Sequence, residues 1–396
     1  IKYELAKRGY GLTPDAKQLR EIIIDIRKAK LPEPEIEGNA GSFFMNPIVK
    51  RCVYENLAQS YPEMPHYTIS NESEKIPAGW LIEKCGWKGR SLGKAGVHDK
   101  QALVLVNRGG ATGQDILRLC NTIREDVKTK FDITIIPEVN ILRLTFLGTG
   151  TSSGVPTIGC TCPVCTSNNP KDKRLRCSLM VETENTRIII DCGPDFRQQI
   201  MNHTFRRIDG VLITHAHYDH IGGIDDLRPF CKFGDVDIFA NEEAEASLRD
   251  FLPYCFAKRK YPNIPEISLH RITPHQKIKI GDINVMPIVV MHGKLPITGY
   301  RFEKFAYITD MKYIDDSELQ YLMGLDLLIV NALRTTKEHH SHQLVDDAVK
   351  FAERIKAKKT LLIHSSHHIG LHDDVNNMLP DNVKMAYDGQ IIDLNC

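Results

Sequence analysis

The chain of 396 residues carries almost no net charge: 51 Lys and Arg stand against 50 Asp and Glu, leaving +1 at pH 7. That balance gives no electrostatic case for nucleic acid or a membrane surface as a partner. No apolar run approaches bilayer length, and no secretory segment, internal repeat or low-complexity tract is visible. Histidine is scarce at first, for only His66 and His98 of the sixteen precede residue 200. Eleven cysteines, three of them bunched, suit metal binding in a reducing cytoplasm better than a disulfide framework. At this length, 42% hydrophobic content supports more than one buried core.

The later histidines are concentrated. Thr214-His215-Ala216-His217-Tyr218-Asp219-His220 follows the apolar stretch Val211-Leu212-Ile213, with Gly222-Gly223 behind. A loop leaving a strand end can aim imidazoles and a carboxylate into one cavity, and these donors suit borderline-hard divalent metals. The arrangement recurs, with His292 after Val289-Val290-Met291, Asp310 after Ala306-Tyr307-Ile308-Thr309, and His364 after Thr360-Leu361-Leu362-Ile363. Singly, each reads as a strand-end polar residue; together they read as ligands.

These residues resemble the metal motifs of the metallo-β-lactamase superfamily of hydrolases. The resemblance implies one metal on His215, His217 and His292, another on Asp219, His220 and His364, and Asp310 bridging them. Asp191, after Arg187-Ile188-Ile189-Ile190, matches the first motif of that superfamily and would orient the His loop. Cys160-Thr161-Cys162-Pro163-Val164-Cys165 supplies three thiols, one ligand short of a tetrahedral zinc, and His367 could complete the set. With Leu147-Gly148-Thr149-Gly150-Thr151-Ser152-Ser153-Gly154-Val155-Pro156 and Gly222-Gly223-Ile224-Asp225-Asp226-Leu227-Arg228, this cluster resembles the phosphoribosyl 1,2-cyclic phosphate phosphodiesterase branch.

That resemblance implies hydrolysis of a small cyclic or nucleotide-like phosphodiester by hydroxide activated between two divalent metals, manganese or zinc. Asp219 would share in the catalytic work. His342, in His339-His340-Ser341-His342, aligns with a His that the family places beside the metals, which implies general acid or phosphate contact. Arg228 is a candidate phosphate fork, with an outward salt-bridged Arg as the alternative.

Residues 1–141 differ. Thr13-Pro14 reads as a helix start, with Leu19, Ile22, Ile23 and Ile26 on one face and Lys30-Leu31-Pro32-Glu33-Pro34 as the stop. Ile116, Leu119, Ile123 and Val127 make a second helix, and Gln101 to Val106 a short strand. Gly38-Asn39-Ala40-Gly41-Ser42-Phe43-Phe44-Met45-Asn46-Pro47, Pro77 to Trp87, Ala95 to Leu103 and Pro137-Glu138-Val139 resemble the substrate-binding domain of UDP-N-acetylenolpyruvoylglucosamine reductase. In that family the Ser matching Ser42 protonates the substrate carbanion, the Glu matching Glu138 assists, and Lys30, Asn46, Tyr67 and Gln101 fall where the nucleotide substrate is contacted. No Gly-rich dinucleotide loop precedes this segment, and Ile1-Lys2-Tyr3-Glu4-Leu5 reads as mid-strand without an initiator Met. The expectation is a product truncated upstream, with FAD bound only if a flavin domain lies there.

The expected architecture is therefore α/β and α+β: a small α+β reductase-like domain over 1–141, then an αβ/βα sandwich over 142–396. Strands are expected at 142–147, 187–190, 209–213, 236–240, 306–309, 326–330 and 360–363, and a helix bearing Leu344, Val345, Ala348, Phe351, Ala352 and Ile355. The junction at Ile141-Leu142 has no linker, which fits either a true fusion or joined reading frames. The expected partner is a small phosphodiester, without nucleic acid or membrane, and a homodimer is compatible. Two alternatives differ in class: a UDP-N-acetylmuramate dehydrogenase using FAD and NADPH if the flavin domain exists, and a transfer-RNA 3′-processing nuclease. The nuclease reading ranks below because His292 and Asp310 lie close in sequence and the chain is not basic.

Overall fold

The computed structural model describes residues 2–8, 10, 15–30, 32, 37–138, 141–257 and 264–395, and of residues 2, 27–30 and 395 only the backbone. The chain divides into two compact units, Ile1–Asn140 and Ile141–Cys396.

In the first unit a four-stranded sheet runs in the order Asn39–Ser42, Val104–Asn107, Ala95–Val97, Ser91–Leu92. A three-stranded sheet holds Ile48–Lys50, Ser73–Lys75 and Tyr67–Ser70. The helix Gly113–Phe131 starts at Thr112, whose side chain accepts from the Asp115 N–H while Asp115 accepts from the Thr112 N–H. Leu119, Ile123 and Val127 on its inner face are fully buried, with Ile82, Trp87 and Leu105 among the residues around them.

Three expectations for this unit change. The opening residues form a helix, Lys2–Lys7, not a strand. So short a pattern cannot separate a period of 2 from 3.6, and a helix closes its own hydrogen bonds where a strand needs a partner. On the helix Ala16–Lys30, Ile22 is fully buried but Ile23 is 38% exposed, so the apolar face is narrower than its sequence suggests. The strand expected from Gln101 begins at Val104, because a turn bonds the Val104 N–H to the Gln101 carbonyl. Thr13 and Pro14 lie outside the described residues.

The second unit is two seven-stranded sheets face to face. One runs Ile267–Arg271, Val236–Ala240, Gly210–Leu212, Arg187–Ile190, Ser178–Glu182, Ile141–Gly148, Ile391–Asn395. The other runs Ile278–Ile280, Ile283–His292, Leu295–Arg301, Phe305–Ile308, Leu327–Asn331, Lys359–Ile363, Val383–Met385. Period-2 alternation explains the continuous apolar runs. Ile188, Ile190 and Leu212 meet Tyr307, Ile329 and Ile363 between the sheets. Ile189, Val211 and Ile213 face outward to pack with Phe196, Leu227 and Leu248. Leu328, Val330 and Leu362 meet Val345, Ala348 and Ala352 of the helix Val345–Ile355 on the opposite side. Both faces of each sheet are thus covered, giving the four-layer αβ/βα sandwich.

Next to the glycine-rich loop, a buried polar network fastens distant segments. Arg174, 4% exposed, donates to Thr149 Oγ1 at 2.8 Å and the Ala386 carbonyl at 2.7 Å, and faces His372 Nδ1 at 3.2 Å. The Thr149 hydroxyl in turn donates to Asp388, which also accepts from the Leu175 N–H. Burial, then the Arg174 charge, lowers His372 to about 4. Burial raises Asp388 to about 6 against its hydrogen bonds from Leu175 and Thr149. The buried neutral His372 stabilises the fold above its ordinary value of 6.5 and ceases to do so as pH falls toward 4. Asp388 acts oppositely: its native form takes up a proton more readily, so it favours folding as pH falls from 6 toward 3.8. Asp388→Asn removes that compensation. Denaturation profiles of the full chain should then show the second unit losing about 2 kcal/mol more than wild type on acidification through this window. Parallel profiles for the two proteins would contradict the assignment.

Candidate metal centre

Parallel pairing sets Ile308, Val330 and Leu362 side by side. Asp310 and His364 each follow two residues later and so leave their sheet at one level. Across the sandwich Ile190 pairs with Leu212, placing Asp191 beside the start of the His loop. Asp191, Asp310 and His364 all have left-handed backbone, with φ of 61°, 55° and 56°. Non-glycine residues pay a steric cost there, and the conformation turns each chain sharply off its strand so that the side chain faces the neighbouring sheet end.

The donor atoms of His215, His217 and His292 lie within 4.8 Å of one another, as do those of Asp219, His220 and His364. His215, His220 and Asp310 form a third such set, so Asp310 stands between the two. His364 Nε2 is 3.1 Å from Asp310 Oδ1, and His220 Nε2 is 3.3 Å from Asp310 Oδ2 and 3.2 Å from Asp219 Oδ2. His220 Nε2 and both ring nitrogens of His364 are buried without a hydrogen-bond partner. Buried bare nitrogens are costly, and a convergent N/O set around them fits divalent cations.

The far sides of two rings are fixed. Asp191 accepts from His220 Nδ1 at 2.7 Å and from the Thr214 N–H and Oγ1, all fully buried. His292 Nδ1 donates to the Asp310 carbonyl at 2.7 Å. These bonds leave Nε2 of both rings turned toward the centre. Burial depresses His215 well below its ordinary value, and His220 adds to this. Burial would also depress His220, yet Asp191, Asp310 and Asp219 hold it well above. For Asp310 burial works upward, but His364 and His220 keep it well below the usual carboxylate range.

His342 lies beside this group. Its ring centroid is 4.9 Å from that of His364 and 4.7 Å from that of His292, and its Nδ1 is 3.6 Å from Asp310. Burial, reinforced by His364, lowers it to about 3, so the ring is neutral at pH 7.

The thiols form a second cluster. The Sγ atoms of Cys160, Cys162 and Cys165 and a ring nitrogen of His367 lie within 4.8 Å of one another. His367 Nδ1 is 3.3 Å from both Cys160 and Cys162. A hydrogen bond from the Cys165 backbone, then one with His367, lowers Cys162 to about 6, favouring thiolate. Among the described residues every cysteine is free of disulfide.

Arg228 pairs with Asp225 at 2.7 Å and is half-exposed, which matches the outward salt-bridged alternative. The sequence cannot show that Asp225, three residues earlier, would capture it. In the first unit Glu138 donates its N–H to the Phe43 carbonyl, and Ser42 and Glu138 are both exposed. Asn46 Oδ1 accepts from the Ala78 N–H, a structural bond at the start of the helix Ala78–Lys84. Tyr67 is 62% exposed, Gln101 is half-buried, and the side chain of Lys30 lies outside the described residues.

Sequence reasoning passed over Thr214 and Gly193. A Cβ on Gly193 would run into the Asp219 carbonyl, and one on Gly223 into the Gly193 carbonyl, so two glycines let the His loop close on the Asp191 turn. Asp191-Cys192-Gly193 was the available signal. Gly193→Ala should displace Asp219 and weaken binding at the second set by about 10- to 100-fold, measured by titration of metal-free protein. Two sites of unaltered affinity would refute this.

Comparison with known proteins follows the two units. A beta-lactamase superfamily domain matches residues 186–365, and the C-terminal domain of UDP-N-acetylenolpyruvoylglucosamine reductase matches residues 33–142. An octanoyltransferase of Porphyromonas gingivalis is 43% identical over 249 residues, 63% of this chain and 51% of that protein. The UDP-N-acetylenolpyruvoylglucosamine reductase of Bacteroides fragilis is 56% identical over 142 residues, 36% of this chain and 42% of that protein. The chain thus spans about half, or less, of the length of these curated relatives. Zn(2+)-bound PqqB from Methylobacterium extorquens shares the fold at 18% identity and a TM-score of 0.54. A diphosphatase from the PhnP family superposes with a TM-score of 0.61 at 39% identity, covering 65% of this chain and 98% of that structure. By that likeness the chain belongs to the PhnP family, its metallo-β-lactamase-fold hydrolase domain joined to a reductase C-terminal domain.

Proposed function

We propose that the second unit is a metal-dependent phosphodiesterase acting on a small cyclic or nucleotide-like phosphodiester. The observation that carries this reading is the set of convergent donors around Asp310, with buried ring nitrogens that no protein group satisfies. His215, His217 and His292 would hold one cation, Asp219, His220 and His364 the other, and Asp310 both. Such a pair lowers the pKa of water and stabilises the oxygens of a displacement at phosphorus.

The protein's own groups do the rest. Asp191 fixes the His220 ring, and the Asp310 carbonyl fixes His292. His342, neutral and beside the ligands, offers one N–H to a phosphate oxygen; a ring held so far down is better suited to that contact than to general acid work. Cys160, Cys162, Cys165 and His367 would hold a structural zinc. The disulfide-free cysteines suit a reducing cytoplasm, and among the described residues no helix is long and apolar enough to cross a membrane.

The match covers only half of the octanoyltransferase, and that activity is not carried over. A second reading concerns the first unit, where the 56% identity to a reductase supports a substrate-side role in reducing a UDP-linked sugar precursor. Hydride transfer there needs FAD held by another domain. Adding a flavin domain of such a reductase and NADPH tests it: no substrate-dependent NADPH oxidation would end that reading.

Asp310→Ala should abolish hydrolysis of bis-p-nitrophenyl phosphate and reduce bound catalytic metal, read by elemental analysis; retained activity would sink the bridging role. Cys162→Ser should contain one zinc fewer per chain than wild type. An unchanged zinc count would reject the thiolate site.

A further inference from the structure

The strand Leu327–Asn331 lies between Phe305–Ile308 and Lys359–Ile363, the strands that lead to Asp310 and His364. Its own residues, Leu-Leu-Ile-Val-Asn, include no His or carboxylate to hold a metal. Its end does something else. Asn331 is fully buried, and its side-chain amide closes a pair of hydrogen bonds on Met311, the residue after Asp310. Asn331 Oδ1 accepts from the Met311 N–H at 2.8 Å, and Nδ2 donates to the Met311 carbonyl at 2.9 Å.

That pairing has a reason in the backbone. Parallel register ends with Ile308 opposite Val330, and the left-handed turn at Asp310 takes the chain off the ladder. Met311 is buried, so its N–H and carbonyl need partners from elsewhere. A carboxamide offers a donor and an acceptor side by side, as a neighbouring peptide would.

The same corner takes hold of the His342 loop. Gln343, buried as well, donates from Nε2 to the Asn331 carbonyl at 2.7 Å. Its N–H donates to the Met311 carbonyl at 3.1 Å, and its carbonyl accepts from the Leu333 N–H at 3.1 Å. The residue after Asp310 and the residue after His342 are thus joined to each other and to one strand end. His292 ties the same two segments a second time, its Nδ1 facing the carbonyls of Asp310 at 2.7 Å and Ser341 at 3.1 Å. Between these ties His342 Nδ1 stands 3.6 Å from Asp310 Oδ1.

We propose that Asn331 is a positioning residue: with Gln343 it fixes His342 against Asp310, so that the phosphate contact and the bridging carboxylate keep one spacing. The proposal rests on the phosphodiesterase reading above. Asn331 touches neither substrate nor cation and acts through Met311 and Gln343. A misplacement of about 1 Å at a reacting group can cost about a hundredfold in rate, which gives this remote amide its leverage.

Two measurements on the full chain test it, and the first needs no turnover. Asn331→Leu keeps the branching of the side chain and removes its hydrogen bonds. Manganese titration of the metal-free variant should show affinity about 10- to 100-fold weaker than wild type. An amide that only stabilises the fold would lower the melting temperature of metal-free protein and leave manganese affinity alone, which would overturn the proposal.

The second is a double-mutant cycle between Gln343 and His342, read as kcat/KM for bis-p-nitrophenyl phosphate on manganese-loaded protein. Gln343→Met, equal in length, should lower kcat/KM by about tenfold at wild-type metal content. In a His342→Ala background the same change should cost less than about twofold. Effects that simply multiply would mean that Gln343 supports the fold rather than His342, and would overturn the proposal even where Asn331→Leu fails to fold. So would a His342→Ala variant as fast as wild type, since nothing would then need positioning. If wild type does not hydrolyse the diester at all, the phosphodiesterase reading falls and the His342 half of this proposal with it. The manganese titration then still decides whether Asn331 holds Asp310.

Discussion

Burying imidazoles whose ring nitrogens have no hydrogen-bond partner is a costly local choice in the second unit. His220 Nε2 and both nitrogens of His364 are in that position, with Asp310 and Asp219 packed against them. In an apolar interior, each such group costs free energy on the scale of a lost hydrogen bond or more. Two carboxylates in the same void would repel one another if ionised, and they are kept ionised only by the surrounding rings. Divalent metal bound among these donors would resolve both difficulties at once. The rest of the unit serves to hold this otherwise unfavourable assembly together.

That support comes from register. The strands Phe305–Ile308, Leu327–Asn331 and Lys359–Ile363 are parallel and buried on both faces, so their ends are fixed by many hydrogen bonds and by packing. Asp310 and His364 inherit that precision, and the left-handed turn at each is tolerated because the strand behind it cannot relax. The facing sheet supplies Asp191 and the His loop by the same device. Loops carry the ligands, but sheet ends determine where the loops can be.

This explains what was legible in the sequence. An apolar run followed by a ligand is visible without a structure, so His215, His292, Asp310 and His364 could be picked out by the repetition of that arrangement, and the strand Arg187–Ile190 found with its bounds. The antiparallel strands Ser178–Glu182 and Leu295–Arg301 were not anticipated, and of Ile283–His292 only the apolar end before His292 was, since their mixed polar and apolar residues carry no clean alternation. Arg228 stayed open between a phosphate and an outward ion pair, because charge capture by Asp225 is a local competition that spacing alone does not decide.

The thiol cluster bears on the centre through chain continuity. His364 and His367 stand three residues apart, one in the second cation set and the other against Cys160 and Cys162. Between them Ser365 donates its N–H to the Thr149 carbonyl, and the Thr151 N–H returns a bond to the Ser365 carbonyl. The glycine-rich loop, the thiols and the catalytic strand end are therefore fastened to one short segment. A His held in left-handed backbone has little of its own to keep it there, so the fastening on its far side matters. The Cys cluster restrains His364 from beyond the active site, much as Asp191 restrains His220 from behind.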